Sequence, residues 1–408
     1  MFFNPLSPEF RANPYPYYDV LRNGAPIFYL SEWNMWFCTR HADCTALLRD
    51  NRLGHEITRY KSREELGFNP IEDLPEAHQA RIRMQSNWML FRDPPDHTRL
   101  RGLVHKAFTP RMVQNLRGHI ERITAQLLAE AKERGHFDMI ADFAVPLPVT
   151  VIAEMLGVPV ADRDVFKGWS DDLAQTLDLV EGTAELWERA AEANAQFDPY
   201  LRGLIAERRG QPQDDLLSAL VQAEESGDTL TEDEMVATSI LLLIAGHETT
   251  SNLIGNGMLA LLRNPEQMAA LRADPSLVNN AVEELLRYDS PVQLTSRWVL
   301  EDMEYDGNRF KVGQEVAIAF AAANRDPDVF ADADRLDITR ANANKHLAFG
   351  NGIHFCLGAP LARLEGQIAF NALLRDLPNL RLADDATVTH RRSYVLRGVE
   401  SLMVQTGD

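Results

Sequence analysis

A cysteine acts as nucleophile or metal ligand only as the thiolate, so its surroundings decide what it can do. Of the three cysteines in this 408-residue chain, Cys356 has the most unusual ones. Gly350 and Gly352 precede it and permit backbone conformations that a β-carbon forbids, which marks a tight loop. Pro360 follows where a first helical residue should stand, and Leu361, Leu364 and Ile368 recur at helical spacing until Pro378. The sulfur therefore lies just ahead of a helix N-terminus, whose free N–H groups and dipole favour a thiolate. Gly358 and Ala359 are small and leave room beside it for a broad, flat ligand. The ordinary alternative is a buried structural cysteine.

A second chemical feature is Ala245-Gly-His-Glu-Thr-Thr250. Glu248 is a charge in an apolar setting, and Gly246, Thr249 and Thr250 are poor helix formers. Local rules that fail together mark a functional position more often than a defect, although a packing notch also uses glycine. The surrounding pattern predicts one long helix. Thr231-Glu-Asp-Glu234 is a capping box, and helical character runs on to Asn264-Pro265. More than thirty residues at 1.5 Å each make a rod of roughly 50 Å, apolar all round and hence central.

Three weaker constellations accompany these. His97 and Arg101 share one helix face after Asp93-Pro-Pro-Asp96, a pair suited to a carboxylate, although surface charge is the default reading. Glu284 and Arg287 stand i,i+3 on a helix after Asp274-Pro275. Cys38-x-x-His41-x-x-Cys44 has zinc-like spacing, but it straddles an expected strand (35–39) and helix (42–48) with no fourth ligand nearby.

Together these strings resemble the cytochrome P-450 family. Phe349-Gly-Asn-Gly-Ile-His-Phe-Cys356-Leu-Gly-Ala-Pro-Leu-Ala-Arg-Leu-Glu365 fills every fixed position of that family's cysteine-ligand loop. Residues 245–250 are similar to its oxygen-activation motif, and Glu284-Leu-Leu-Arg287 to its buried structural pair. The resemblance spans essentially the whole chain. It implies a mainly α fold with a smaller β-rich part and a long central helix over the haem. The whole chain, 1–408, is expected to form a single haem domain.

For the site, the resemblance implies haem b (iron protoporphyrin IX) held by Cys356, whose thiolate favours O–O cleavage. Phe349, Gly350, His354 and Gly358 would surround the haem from the loop side. Ala245 and Gly246 would leave room for O2, Thr249 would hydrogen-bond oxygen, and Glu248 would relay protons. His247 fills the motif's variable position and is not cast as a ligand. His97, Arg101 and Arg297 would bind propionates. The Glu284–Arg287 pair gains a third member from the later meander; aligning 333–336 favours Arg335, with Arg340 left open. Residues 55–92 would roof the substrate pocket, Trp169 to Tyr200 would form its lid, and Val292, Leu294 and Tyr394 to Leu396 its walls.

The implied reaction inserts one atom of O2 into an apolar small molecule such as a natural product, steroid or fatty acid, by hydroxylation or epoxidation. Without a fused flavin or iron–sulfur domain, electrons would come from NAD(P)H through a reductase and a separate ferredoxin or flavodoxin. Arg99, Lys106, Arg111 and Arg363 are the candidate docking cations. A peroxide-driven peroxygenase would dispense with the Glu248–Thr249 pair, and a haem sensor would need no relay at all.

Composition agrees. With 41 Lys+Arg against 60 Asp+Glu, the net charge of −19 disfavours nucleic acid and anionic membrane surfaces. No basic, apolar leader opens the sequence, and the longest strongly apolar run, 240–245, is far too short to span a bilayer. Three cysteines make no disulfide framework. A cytoplasmic enzyme without a membrane anchor is expected.

Overall fold

The apolar stretch after Thr231 folds as one helix, Glu232–Arg263, of 32 residues. The capping box forms as expected: Glu234 N donates to Thr231 Oγ1 at 3.2 Å, and Thr231 N donates to Glu234 Oε2 at 2.9 Å. Helices Pro146–Met155, Arg163–Ala174, Ala184–Gly210, Val278–Tyr288 and Ala359–Asp376 pack round this rod. Each leucine or isoleucine it buries contributes about 1.5–3 kcal/mol. Gly257 permits the close crossing with helix Ala359–Asp376, since a β-carbon there would stand 2.6 Å from Phe370 Cζ. Between Met235 and Leu261, burial relaxes only at Leu242, Ala245, Gly246 and Thr249. These residues face a cavity.

The computed structural model describes residues 4, 7–69, 71–73, 76, 79, 85–177, 184–225, 227–383 and 387–407. Its largest sheet has the strand order Ile27–Leu30, Met35–Cys38, Glu315–Ile318, Thr295–Val299, Leu53–Gly54. Glu315–Ile318 runs parallel to Met35–Cys38 and antiparallel to Thr295–Val299, with Val316 opposite Arg297. This sheet fixes Arg297 at the edge of the cavity. Asp306-Gly307, with both residues at positive φ, makes a hairpin turn between Met303–Tyr305 and Asn308–Phe310.

Gly168 lies inside helix Arg163–Ala174 without breaking it. One interior glycine costs only about 1 kcal/mol, and the burial of Phe166 and Leu173 on the same helix outweighs it. The third member of the buried Glu284–Arg287 pair is Arg340, not Arg335. Arg340 Nε donates to Glu284 Oε2 at 3.1 Å, whereas Arg335 offers only its backbone oxygen, to Arg287 and Arg340. Within 55–92 the described residues include short helices Ile57–Tyr60 and Arg63–Leu66 and the single turn Met89–Phe91; part of this stretch lies outside the described residues. The zinc spacing is structural. Cys44 Sγ donates to the Cys38 carbonyl, and His41 Nε2 lies 2.9 Å from the Lys345 carbonyl.

Candidate active site

A cavity of about 340 Å³ separates the middle of the central helix from the cysteine loop. Ala245, Gly246, Glu248 and Thr249 line one side, Phe349, Gly350, Cys356 and Gly358 the other. The loop is built by its glycines. Gly350 and Gly352 have φ of 69° and 70°, and a β-carbon on Gly352 would stand 2.6 Å from the Leu48 carbonyl oxygen. Cys356 N donates to Phe349 O at 2.9 Å, which closes the turn. Helix Ala359–Asp376 then starts with Pro360 in its first turn.

The sulfur meets the Gly358 and Ala359 N–H groups, as its place before a helix suggests. They do not make it a thiolate by themselves. Burial pushes the Cys356 thiol up, and the two N–H groups, Arg101 and Arg363 offset only part of that. A cation at the sulfur is what would hold the thiolate. Arg363 lies over the Phe349 ring, 4.6 Å from its centroid, and braces the loop from behind.

At one edge of the cavity stand His97, Arg101, Arg297 and His354, four of the residues singled out in the sequence. Among the described residues this cluster of donors has no carboxylate paired with its arginines. Both ring nitrogens of His97 are buried without a partner. Arg101 reaches only the Phe355 carbonyl (2.6 Å), and Arg297 only Thr295 Oγ1 and the Ser296 carbonyl. Burial, then neighbouring arginines, push His97 down to about 4. Burial likewise pulls Arg297 down to about 10. His55 also joins the cluster, with its ring 5.0 Å from that of His354 and Nε2 unpartnered. The sequence offered no signal for His55, which sits alone in an irregular stretch.

Thr249 Oγ1 donates to Ala245 O at 2.7 Å and faces the cavity. Glu248 is buried. Its Oε2 lies 2.5 Å from the Arg391 guanidinium, and its Oε1 faces His247. Burial pushes the Glu248 carboxyl up, but His247 and Arg391 together hold it below the usual range. Arg391 and Asp171, which faces His247 from helix Arg163–Ala174, were not apparent from spacing. Val292, Leu294, Val395 and Leu396 line the cavity as expected. Tyr394 does not; it is buried edge-on against Trp33. Of the four docking cations, Arg99 pairs with Glu234 and Asp228, and Arg363 with Glu283, so neither is a free surface charge.

The geometry finds its counterpart in known proteins. The family model for cytochrome P-450 matches residues 64–382. This chain is a member of the cytochrome P-450 family. The polyketide biosynthesis cytochrome P-450 PksS of Bacillus subtilis (strain 168) is 44% identical over 99% of this chain and 98% of its own length. The solved structure of PksS superposes with a TM-score of 0.89 over 100% of both chains. The vitamin D(3) 25-hydroxylase of Pseudonocardia autotrophica is 41% identical over 98% of this chain and 96% of its own. A P-450 named BioI, solved in complex with a hexadec-9Z-enoic acid-ligated acyl carrier protein, has a TM-score of 0.89 at 40% identity, covering 98% of this chain and 99% of its own.

Membership makes the chain a monooxygenase with a haem-thiolate cofactor, and the residues present fit that group. Small residues on both sides of the cavity accommodate a flat macrocycle. The histidines and the arginines at its edge, which pair with no carboxylate among the described residues, suit two propionates, and the partly buried Cys356 thiol can face the metal. Among the described residues, no helix is long and apolar enough to cross a membrane.

Proposed function

We propose that this P-450 inserts one oxygen atom from O2 into an apolar small molecule carrying a long aliphatic or polycyclic skeleton. The observation that carries this reading is the pairing, across one apolar cavity, of Cys356 with the Ala245–Thr249 face of the central helix. In this reading residues 1–408 form a single haem domain. The cofactor is haem b, ligated by Cys356, with His97, Arg101, Arg297 and His354 on its propionates. Bound there, the haem supplies the redox centre at which dioxygen is activated.

The chain's own groups do the rest. Ala245 and Gly246 leave space for O2. Thr249 commits its one hydroxyl proton to Ala245 O, so Oγ1 presents lone pairs to the cavity and would accept a hydrogen bond from a donor held there. Glu248, ionised and linked through Arg391 toward solvent, carries protons inward. Electrons come from NAD(P)H through a ferredoxin or flavodoxin and its reductase, in the cytoplasm. Relatives named for polyketide biosynthesis and vitamin D(3) hydroxylation, and one crystallised with a carrier-bound fatty acid, support a bulky or extended apolar substrate.

The test is spectroscopic. Cys356→His should fold and lose the thiolate absorption signature of the reduced protein treated with carbon monoxide, while Cys38→Ser and Cys44→Ser keep it. Persistence of the signature in Cys356→His would sink the assignment. The haem spectral shift of the parent, screened against fatty acids, steroids and macrolactones, then selects the substrate class.

A further inference from the structure

His247 occupies a position to which the oxygen motif assigns no role, yet it is almost completely buried beside Glu248. Its Nδ1 lies 2.9 Å from the Leu243 carbonyl, which can only accept, so Nδ1 bears a proton. Its Nε2 faces two carboxylates, Asp171 Oδ1 at 3.5 Å and Glu248 Oε1 at 3.6 Å. A lone pair on Nε2 would point at two anions in a buried setting. A second proton turns the same geometry into attraction, which favours the imidazolium form of His247. Its surroundings are consistent: Ser170 Oγ lies 3.3 Å from Nδ1, Lys167 holds the far oxygen of Asp171 at 2.5 Å, and Arg391 holds the far oxygen of Glu248 at 2.5 Å. Burial alone would pull His247 down, but the two carboxylates outweigh it and raise it to about 9.

Asp171 belongs to helix Arg163–Ala174 and Glu248 to the central helix. One buried cation is thus shared between the expected lid and the carboxylate nearest the oxygen site. We propose that His247 is a positioning residue: a cationic clasp that ties helix Arg163–Ala174 to Glu248 and makes the orientation of that carboxylate depend on lid closure. When the helix is seated, Asp171 and Glu248 pull the imidazolium from opposite sides and fix Oε1 of Glu248. When it lifts, Glu248 keeps the whole cation and turns toward it. The inference rests on Glu248 being the proton-relay acid.

The haem-loaded protein is compared with Asp171→Asn, Asp171→Glu, His247→Gln and the Asp171→Asn/His247→Gln double variant. Asp171 is half-exposed, so its variants fold even should His247→Gln not. Deuterium exchange of residues 163–177 reads the lid. NADPH oxidation with a surrogate ferredoxin and reductase, followed between about pH 6 and pH 10, reads the relay. Parent oxidation is expected to fall as pH rises through about 9. Asp171→Asn should speed lid exchange about fivefold, the upper range for one half-exposed ion pair, and move the alkaline limb to lower pH. Asp171→Glu should restore both readouts, and the double variant should match His247→Gln alone. Parent-like lid exchange and an unmoved alkaline limb in Asp171→Asn overturn the clasp, as does additivity in the double variant. Glu248→Gln separates the two readings. Unchanged NADPH oxidation in that variant defeats the relay while leaving the lid-exchange result to stand for or against the clasp.

Discussion

The Arg340 guanidinium meets the Glu284 carboxylate that Arg287 already holds in a two-point pair, with Nε 3.1 Å from Oε2. The three side chains sit wholly or almost wholly out of solvent. Asp337 N donates to the same carboxylate at 2.9 Å, so four N–H donors from two chain segments share two oxygens. Removing the carboxylate strands two buried guanidinium ions. Glu284→Ala should lose about 3–5 kcal/mol and yield little soluble haem protein. Arg340→Ala should follow it. Arg335→Ala, which deletes an exposed side chain and leaves the carbonyl in place, should melt within about 0.5 kcal/mol of the parent. Equal losses in Arg335→Ala and Arg340→Ala would refute the assignment.

Haem retention should rank the donors at the cavity edge. Arg297→Ala or Arg101→Ala leaves a propionate unpaired in a poorly solvated pocket and should weaken haem binding by about 2–5 kcal/mol. His97→Ala removes a single hydrogen bond to a charged group, worth about 1.5–3 kcal/mol. His55→Ala should also lower retention, a result that spacing gave no reason to expect. Haem transfer to apomyoglobin, timed for each variant, gives the order. Parent-like transfer from Arg297→Ala would remove the propionates from this edge.

Thr249→Ala should retain haem and substrate binding and keep consuming NAD(P)H. Its electrons should appear increasingly as hydrogen peroxide, because nothing then accepts a hydrogen bond from a donor held there. Glu248→Gln keeps the shape but loses the titrating proton, so oxygen turnover itself should slow by about a hundredfold. Product formed per NAD(P)H is the measurement. Full coupling in Thr249→Ala would take that residue out of the reaction.

Acid should act through Glu283. Burial pushes this carboxyl up, yet Arg363 at 2.6 Å and His346 at 3.2 Å more than compensate and hold it at about 2. A depressed carboxyl stabilises the fold above its unfolded value, about 4.3, and that contribution disappears as pH falls through about 2. Melting temperature should therefore drop more steeply over this window in the parent than in Glu283→Gln. Parallel curves for the two proteins would show that the ion pair adds no pH dependence.

The motifs carried by unbroken local strings were legible before any coordinates. The Cys356 loop, the capped central helix and the Glu284–Arg287 pair each declare themselves within one unbroken local stretch. The groups that complete them come from elsewhere in the chain and leave no periodic trace. Arg340 reaches Glu284 across 56 residues, Arg391 reaches Glu248 across 143, and Asp171 reaches His247 from another helix. A side chain recruited by tertiary packing is one arginine or aspartate among many at the level of sequence. Cys356 was legible only in part for a related reason: its two N–H groups do favour the thiolate, as the pattern implies. Helix N-terminal N–H groups can be read from a pattern, but the burial that outweighs them comes from segments far away.

The cavity draws Leu48 and His55 from early in the chain, Arg297 from its middle, and Val395 and Leu396 from near its C-terminus. Biosynthesis proceeds in that order. A nascent chain that has exposed the sheet and the central helix still lacks the cysteine loop, and one that has exposed the loop still lacks a wall. No shorter translation product presents the complete wall of that pocket, and until the last segment is made its apolar lining stands open to water and to other chains.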